Sequence, residues 1–468
     1  MSEEIQYRKQ KELFGHPVGL YILFFTEMWE RFSYYGMRAI LVLYLVAESG
    51  SENAGLGWSN GEALALYGWY TMLVYVASIP GGWIADKFLG QKKSVLVGGV
   101  LLVAGHGILS VEEMWAFYTG LGLIIAGVGM LKPNISTMVG GLYKAGDIRR
   151  DKGFTIFYIG INIGAFLSSL IVGYIGEVYG WHYGFGLAAI GMLLGLIQYV
   201  AGQKHLKYVG NNASDSENEE EKAAMKRPLN KIEKDRVVVL FISFILVIVF
   251  WGAFEQAGGL MNIYASEKTD RMLMGWEVPA SWFQSLNAMF IIILGTAVAV
   301  FWAKRKLKGK VSSSLFKMCL GLIIMGMGFF FMTAAAAEFS ADGASAMYWL
   351  VLAYLFHTVG ELCLSPVALS YITKLAPLKY ASLMMGVYFA MTGFGNKLAG
   401  LLGESASDLG EYTVFTGIAV FCVVFGFLVL LIRKKLEKLT HGAEDNEREI
   451  NDDNEPYELA DPDFNKAN

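Results

Sequence analysis

Long apolar blocks, repeated along the chain and joined by short polar segments, are the feature that most limits how this sequence can fold. A hydrocarbon layer about 30 Å thick needs roughly 20 apolar residues per helix, and blocks of that length recur throughout the sequence. We therefore predict an all-α membrane protein with twelve spans, near residues 17–46, 62–85, 93–112, 115–139, 153–178, 182–203, 236–265, 280–303, 312–336, 346–373, 380–404 and 413–433.

The composition excludes several other classes of protein. Charged residues make up 17% of the chain and hydrophobic residues 54%, whereas soluble domains contain about 25% charged residues. This argues against a soluble enzyme and against a nucleic-acid-binding protein with a basic face. The three cysteines lie inside apolar blocks, so we interpret them as small buried hydrophobic residues and not as a redox or metal set.

The basic residues orient the spans. If the N-terminus is cytoplasmic, the joints on that side collect 29 Lys and Arg, and the opposite joints hold only Lys268 and Arg271. Positive charge accumulates on the cytoplasmic side of membrane proteins. We therefore expect both termini to be cytoplasmic and the number of spans to be even. The first 16 residues lack the apolar core of a signal peptide.

Two polar segments divide the chain. A linker of mixed charge at 204–235 separates six predicted spans from six more, the layout of two pseudo-symmetric bundles around a central site. Residues 441–468 contain 10 acidic and 2 basic residues without apolar periodicity, which is typical of disorder. The predicted divisions are a cytoplasmic leader (1–16), an N-terminal six-helix bundle (17–203), the cytoplasmic linker (204–235), a C-terminal six-helix bundle (236–434) and an acidic cytoplasmic tail (435–468).

The first block carries charges that lipid cannot accommodate. A charge at a helix centre costs roughly 2.5–3.5 kcal/mol, so four of them facing lipid would cost on the order of 10 kcal/mol. The side chains are spaced to share one face of a helix, so this face must line an aqueous cavity or contact other charges. The residues are Glu27, Glu30, Arg31, Tyr34, Tyr35 and Arg38.

Three later blocks each place one charge next to a helix-interrupting residue. Lys132 precedes Pro133, Glu255 is followed by two glycines, and Glu361 lies shortly before Pro366. Interrupted spans in both halves of a transporter indicate a binding site near the membrane midplane.

The charges within these spans do not balance. Four carboxylates face three cations, so a closed cavity would hold one surplus negative charge, which one bound proton would neutralise. This imbalance predicts proton coupling. The groups are Glu27, Glu30, Glu255 and Glu361 against Arg31, Arg38 and Lys132.

Other polar residues have structural alternatives. Asn162 and Asn287 fit interhelical hydrogen bonding as well as they fit substrate contact. The loop GGWIADKFLGQKK, with Asp86 at its centre, fits either a latch on the cytoplasmic side or a basic anchor. His106 and His357 receive no role.

Five motifs in chain order resemble those of the proton-coupled oligopeptide transporters, a branch of the major facilitator superfamily. The run from Glu27 to Gly36 is similar to the family signature ExxERFxYYG. The other matches are GxGxxKPN ending at Asn134, FYxxINxG at 157–164, FWxxFEQ ending at Gln256 and ELxLSPVxLS at 361–370. The resemblance implies the major facilitator fold and a symporter that imports di- and tripeptides with protons, without another cofactor.

The resemblance also implies a role for each matching residue. Proton coupling would involve Glu27, Glu30, Arg31 and Glu255. Ion pairs between the bundles would join Arg38 to Glu255 and Lys132 to Glu361. Peptide binding would involve Arg31, Tyr34, Tyr35, Arg38, Tyr70, Tyr75, Lys132, Asn162, Trp251, Asn287, Glu361, Ser365 and Tyr388. The partners would be peptides, protons and membrane lipid, with no metal and no nucleic acid, and the protein would act as a monomer in the cell membrane, here a bacterial inner membrane.

The sequence departs from the family at three places. Gly68 stands where animal members carry a histidine, so proton uptake cannot use that group here. Tyr388 stands where many bacterial members have a tryptophan, which would alter side-chain preference. The linker is too polar for the two extra helices that many bacterial members insert.

One alternative remains open from the sequence, and two others are disfavoured. A family member that carries nitrate or another small anion would need only Arg31 and Lys132. A channel or receptor would have no use for a surplus carboxylate. A membrane enzyme is disfavoured because no nucleophile–base pair or metal-ligand spacing is present.

Overall fold

The computed structural model describes residues 10–144, 147, 149–207, 209, 210, 228–377 and 381–443. It is built of long helices with three pairs of two-residue strands, which confirms the all-α prediction. A helix satisfies its own backbone hydrogen bonds, as hydrocarbon requires. The predicted disorder of the tail after residue 443 and the centre of the predicted linker, 211–227, lie outside the described residues.

The first half begins with a strand pair, β1 (Glu12–Leu13) and β2 (His16–Pro17). Its helices are α1 (Val18–Val46), α2 (Asn60–Val76), α3 (Ser78–Ile84), α4 (Gln91–Leu109), α5 (Met114–Gly141), α6 (Arg149–Val178) and α7 (Trp181–Gly202). A π-helical turn, Ala85–Leu89, follows α3, and a 3₁₀ turn, Gln203–His205, follows α7.

The second half contains α8 (Lys231–Phe254), α9 (Leu260–Lys268), α10 (Ser285–Leu307), α11 (Ser314–Asp342), α12 (Met347–Leu375), α13 (Ala381–Leu409) and α14 (Glu411–Lys438). Strands β3 (Thr269–Asp270) and β6 (Ser345–Ala346) pair in parallel, and β4 (Met272–Leu273) pairs with β5 (Trp276–Glu277). 3₁₀ turns lie at Glu255–Ala257 and Ala280–Gln284.

Within the described residues, ten helical segments are long and apolar enough to cross a membrane. Helices α1 and α13 are not among the ten, although each has 29 residues. The four charges of α1 lie near its middle, and α13 carries Lys397, Glu404 and Asp408 in its second half. Ten spans is therefore the number that length and hydropathy support.

Local sequence signals explain where several helices begin and end. Ser59 and Glu62 form a reciprocal capping box at the start of α2. Asn230 and Glu233 do the same for α8, so this helix begins within the predicted linker, at Lys231. Gly343 ends α11 in the left-handed conformation, which glycine adopts without a steric penalty.

The predicted unwinding of a helix occurs after Glu255, whereas the two prolines lie inside continuous helices. After α8 the chain passes through the Glu255–Ala257 turn and two glycines before α9 begins, so the predicted unwinding is confirmed. Helices α5 and α12 instead continue through Pro133 and Pro366. Membrane helices tolerate proline because neighbouring helices, side chains and local backbone adjustments can satisfy the carbonyl one turn before it, which the missing N–H leaves free.

The two halves contact each other along α2 with α13 and along α6 with α10. At the first crossing a Cβ on Gly68 would lie 2.9 Å from the Gly400 Cα, so the backbones approach as closely as glycine allows. At the second, a Cβ on Gly173 would lie 2.1 Å from the Ser281 Oγ. A histidine at position 68 would not fit this crossing, which gives a physical reason for the glycine found there.

Hydrogen bonds between the halves cluster at one end of the molecule, called here the 47–59 end after the loop that forms part of it. The Asn262 side-chain amide donates to the Ala39 carbonyl at 2.8 Å. The Gln284 side-chain amide donates to the same carbonyl at 3.3 Å. The Trp282 indole donates to the Leu170 carbonyl at 3.0 Å. These bonds hold the halves together at the 47–59 end.

An ion-pair cluster ties the N-terminal strand pair to the segment before α6. The Arg149 guanidinium lies 2.9 Å from both Asp147 and Glu12. Its hydrogen bonds lower the pKa of Asp147 below the usual range for an aspartate. Near it the His16 ring is hydrogen-bonded to the Tyr143 hydroxyl at 2.8 Å. The chain that leads into α1 is thereby fixed against α5 and α6.

Candidate functional site

The charged face of α1 holds one arginine against two glutamates. Arg31 Nε lies 2.9 Å from Glu27 Oε1 and 2.6 Å from Glu30 Oε2. All three residues are buried, with 3% or less of their surface exposed. The Arg31 Nη2 atom is buried and has no hydrogen-bond partner in the described part of the chain. This guanidinium group therefore keeps a donor for a ligand.

Aromatic rings surround this arginine. The Arg31 guanidinium carbon lies 6.0 Å from the Tyr34 ring centroid and 5.8 Å from that of Tyr35. Tyr35 also lies 4.7 Å from the Arg38 guanidinium, so it separates the two arginines. The hydroxyls of Tyr34 and Tyr70 are buried without a hydrogen-bond partner among the described residues. They are further polar groups that a ligand could engage.

Charges from both halves converge around Tyr35. Its hydroxyl is within electrostatic range of Arg31 and Arg38 in the first half and of Glu255 and Glu361 in the second. Cations from one half and carboxylates from the other therefore influence the same tyrosine, and Arg38 and Glu255 are in direct contact. This is the arrangement that the charged α1 face and the later isolated charges predicted together.

The predicted ion pair between Lys132 and Glu361 is not formed in this structure. The Lys132 ammonium lies over the Tyr75 ring, 3.9 Å from its centroid. The Glu361 carboxylate instead accepts a hydrogen bond from Asn287 Nδ2 at 2.8 Å. The two side chains have other partners because α5 and α12 do not pack closely against each other here.

Asn287 and Asn162 have different hydrogen-bond partners. Asn287 bridges Glu361 and the Thr358 hydroxyl, which it reaches at 3.1 Å, so it positions the carboxylate. The Asn162 side-chain amide donates to the Tyr158 carbonyl at 2.9 Å, one turn back in its own helix. Asn162 therefore contacts α6 itself rather than Glu361.

The Arg38–Glu255 pair joins the halves. Arg38 Nη1 lies 3.1 and 3.0 Å from the two Glu255 oxygens, and both side chains are largely buried. The Tyr67 hydroxyl donates to the same carboxylate at 3.0 Å. Sequence reasoning missed Tyr67, because a tyrosine in an apolar block gives no sign that its hydroxyl has a charged partner.

A second contact between the halves was also missed. Glu177, in the last turn of α6, accepts hydrogen bonds from the backbone N–H groups of Ala280 and Ser281, both at 2.8 Å, and from the Ser281 hydroxyl. These donors begin the helical segment that continues into α10. A carboxylate near the carboxyl end of its own helix is unfavourable because it faces the negative end of the helix dipole. This position in the sequence could have indicated that Glu177 has a partner elsewhere.

Trp251, Ser365 and Tyr388 form a second aromatic wall. The Tyr388 hydroxyl lies beside the Ser365 and Trp251 side chains, and the Trp251 ring packs against Phe254 with centroids 5.1 Å apart. Tyr388 is 5% exposed. The structure thus brings together these three predicted pocket residues in the second half.

One remaining feature of the sequence is Asp86, in the loop after the second predicted span. Asp86 is exposed, within the π-helical turn after α3, and no ion pair to it occurs in the described ranges. Neither a latch nor an anchor is distinguished by this geometry. Across those ranges, no group of three or more His, Cys, Asp or Glu residues is arranged to hold a metal ion.

Comparisons with known proteins agree on one family. The profile of the POT family (PTR2) matches residues 92–223 and 213–414. The uncharacterized transporter YclF of Bacillus subtilis (strain 168) is 36% identical over 482 residues, covering 93% of this chain and 97% of that protein. A di-/tripeptide transporter of Lactococcus lactis subsp. cremoris is 34% identical over 490 residues, covering 92% and 98%. A crystal structure of the peptide transporter POT in complex with sulfate superposes with a TM-score of 0.87 at 35% identity, covering 94% of this chain and 99% of that one.

Proposed function

The chain belongs to the POT family of membrane transporters, and from this premise we propose that it imports di- and tripeptides with protons by alternating access. It is a transporter and not an enzyme. The proton is the coupling ion in this proposal, and no other cofactor takes part. The observation that carries the proposal is the buried contact between the halves, in which the Arg38 guanidinium of the first half lies over the Tyr35 ring and 3.0 Å from the Glu255 carboxylate of the second.

The proposed topology has twelve spans. Helices α1 and α13 cross the membrane with the other ten, because the charges of α1 face the cavity and not lipid. The two bundles, 17–203 and 236–434, then place both termini in the cytoplasm, as the distribution of Lys and Arg predicts. The protein works as a monomer in the cell membrane, a bacterial inner membrane.

The chemistry of a short peptide matches the charges of the site. A zwitterionic peptide has a carboxylate and an ammonium group separated by its backbone. Arg31, with a buried unpaired donor, and Lys132 suit the carboxylate, and Glu361, held by Asn287, suits the ammonium group. Recognition of the two termini leaves the peptide side chains to the aromatic wall of Trp251 and Tyr388, which fits a broad range of substrates.

Alternating access follows from the uneven contacts between the halves. The hydrogen bonds at the 47–59 end and the Arg38–Glu255 pair hold the outer side closed, while the Lys132–Glu361 pair is apart. In the proposed cycle the second pair forms as the first breaks, which opens the site to the other side.

The test is uptake of labelled dialanine into proteoliposomes under an inward proton gradient, before and after an ionophore is added. Accumulation that collapses with the ionophore is the expected result. Uptake of dialanine that is independent of the gradient would contradict proton coupling. No uptake by a folded preparation that does take up nitrate would favour the anion alternative.

Lys132→Ala is expected to impair transport of peptides with a free carboxylate more than transport of peptide amides. The ammonium group contributes to binding only when the substrate carries the negative charge, and a charge-assisted hydrogen bond contributes about 1.5–3 kcal/mol, roughly a tenfold or greater change in affinity. The measurement is competition by dialanine and by dialanine amide against labelled substrate. An equal loss for both compounds would remove Lys132 from the carboxylate site.

Glu361→Gln separates the peptide proposal from the anion alternative. A peptide transporter is expected to lose affinity for free peptides by about tenfold or more, because the ammonium group loses its counter-charge. An N-acetylated peptide, which has no ammonium group, should be affected much less. Unchanged uptake of free peptides would contradict the assigned role of Glu361.

A further inference from the structure

Two arginines from different helices lie against one phenylalanine at an end of the second half. The Arg305 guanidinium of α10 lies 5.4 Å from the Phe316 ring centroid, and the Arg433 guanidinium of α14 lies 5.2 Å from it. The Lys317 ammonium lies 5.3 Å from the Trp302 ring. We call these five residues the Phe316 cluster. From this cluster we propose a binding site for the phosphate headgroup of an anionic membrane lipid.

Among the described residues, one of the two arginines of the cluster forms an ion pair with a carboxylate. Glu437 lies 3.2 Å from Arg433 Nε and also accepts a hydrogen bond from the Ser313 hydroxyl, so it offsets one of the cations. Arg305 uses its Nε to bind the Val311 carbonyl at 2.7 Å, which fixes the guanidinium plane and leaves its terminal nitrogens as donors. Further exposed lysines lie within five residues of Arg305 or Arg433 in the sequence, namely Lys304, Lys308, Lys310, Lys434, Lys435 and Lys438.

The ligand is a lipid and not a free anion because large apolar side chains adjoin the cations. Phe301 is 54% exposed, Leu431 80% and Ile432 43%, and they lie on the same helices one turn or less from Arg305 and Arg433. An acyl chain would cover these residues while the headgroup phosphate contacts the guanidinium groups. Basic pockets between membrane helices bind acidic lipid headgroups.

The acidic tail of this chain, 444–468, is the rival occupant on charge alone. It has ten acidic residues and two basic ones, but few apolar side chains to cover Phe301 and Leu431. The proposal therefore commits to lipid, and the tail becomes an outcome of the test.

The experiment measures lipid retained by the full-length protein purified in a non-ionic detergent. Dioleoylphosphatidylglycerol and dioleoylphosphatidylcholine are added separately, and bound lipid is counted by native mass spectrometry alongside the shift in Tm. Wild type is expected to retain the anionic lipid preferentially, and Arg305→Gln with Arg433→Gln is expected to weaken this retention about 30-fold. The matched control, Lys93→Gln with Lys204→Gln, removes two exposed cations from the first half and should leave retention unchanged.

Two further arms keep the result decisive. Arg305→Lys with Arg433→Lys keeps both charges and should retain most of the anionic-lipid binding, which separates charge from misfolding. Inorganic phosphate at millimolar concentration should displace little lipid; full displacement would mean that the site takes phosphate alone and would overturn the lipid proposal. The proposal would also fail if the control and the test variants lost lipid equally. It would fail as well if the protein preferred anionic lipid only after Glu444, Asp445, Glu447 and Glu449 were changed to Gln or Asn, because the acidic tail would then be the occupant of the site.

Discussion

Glu30→Gln is expected to abolish accumulation of peptide driven by a proton gradient while sparing exchange of labelled for unlabelled peptide. The Glu30 side chain is completely buried and shares the Arg31 guanidinium with Glu27. One guanidinium balances one carboxylate, so the second negative charge is costly in this desolvated place unless it binds a proton. Glutamine has the same shape without the charge. It therefore holds the site in a proton-loaded form that can exchange substrate but cannot carry protons with it.

The measurement compares two assays on the same proteoliposomes. Uphill uptake under an inward proton gradient should fall to simple equilibration, while counterflow should stay within about a factor of three of wild type, since such isosteric changes leave binding contacts largely in place. The control is Glu48→Gln, which removes an exposed carboxylate from the 47–59 loop and should leave both assays unchanged. Uphill uptake retained by Glu30→Gln would remove Glu30 from proton coupling.

The parts of the site that could be predicted are those where burial forces a partner. Four charges on one face of α1 cannot face lipid, and the structure accordingly contains the Arg31 contacts with two glutamates and the Arg38 contact with Glu255. The interruption after Glu255 could be predicted because two glycines follow it in an otherwise apolar segment. In each case the energy of a misplaced group is several kcal/mol, large enough to decide the structure.

The parts that could not be predicted depend on how the halves sit against each other. Lys132 and Glu361 lie on different bundles, and helical periodicity does not encode the tilt that brings them together or apart. Tyr67 shows no charge in the sequence, so its bond to Glu255 is visible only in the structure. Pro133 and Pro366 lie inside continuous helices, and whether a membrane helix continues through a proline depends on its packing, which composition does not reveal.

Glu177→Gln is expected to open the 47–59 end of the molecule. The Glu177 carboxylate accepts two backbone N–H bonds at 2.8 Å, from Ala280 and Ser281, and a third bond from the Ser281 hydroxyl. Glutamine has one carbonyl oxygen to accept these hydrogen bonds. Its NH₂ group is a donor and would face the N–H or hydroxyl donors of the partner segment. Hydrogen bonds to a charged group contribute about 1.5–3 kcal/mol each, so losing about 2 kcal/mol from the closed form would shift the equilibrium toward the open form roughly 30-fold.

The shift can be read from the distance between spin labels on opposite halves. Cysteines at Gly50 and Met274, both exposed at this end, are labelled after the three buried native cysteines are replaced by alanine or serine. Double electron–electron resonance should show a short distance in the parent protein and a long one in Glu177→Gln. Ser281→Ala removes only the hydroxyl bond and should give a smaller shift.

The control Glu112→Gln removes an exposed carboxylate from the loop at 110–113, at the same end, and should leave the distance unchanged. If Glu177→Gln kept the short distance, the carboxylate would not hold the halves together, and the Arg38–Glu255–Tyr67 contact would have to close this end by itself. If both substitutions lengthened the distance equally, loss of surface charge would be the cause. The expected outcome is a graded response, in which the distance increases most for Glu177→Gln and less for Ser281→Ala. This outcome would identify the segment before α10 as the partner of Glu177, because the increase would then follow the number of hydrogen bonds removed.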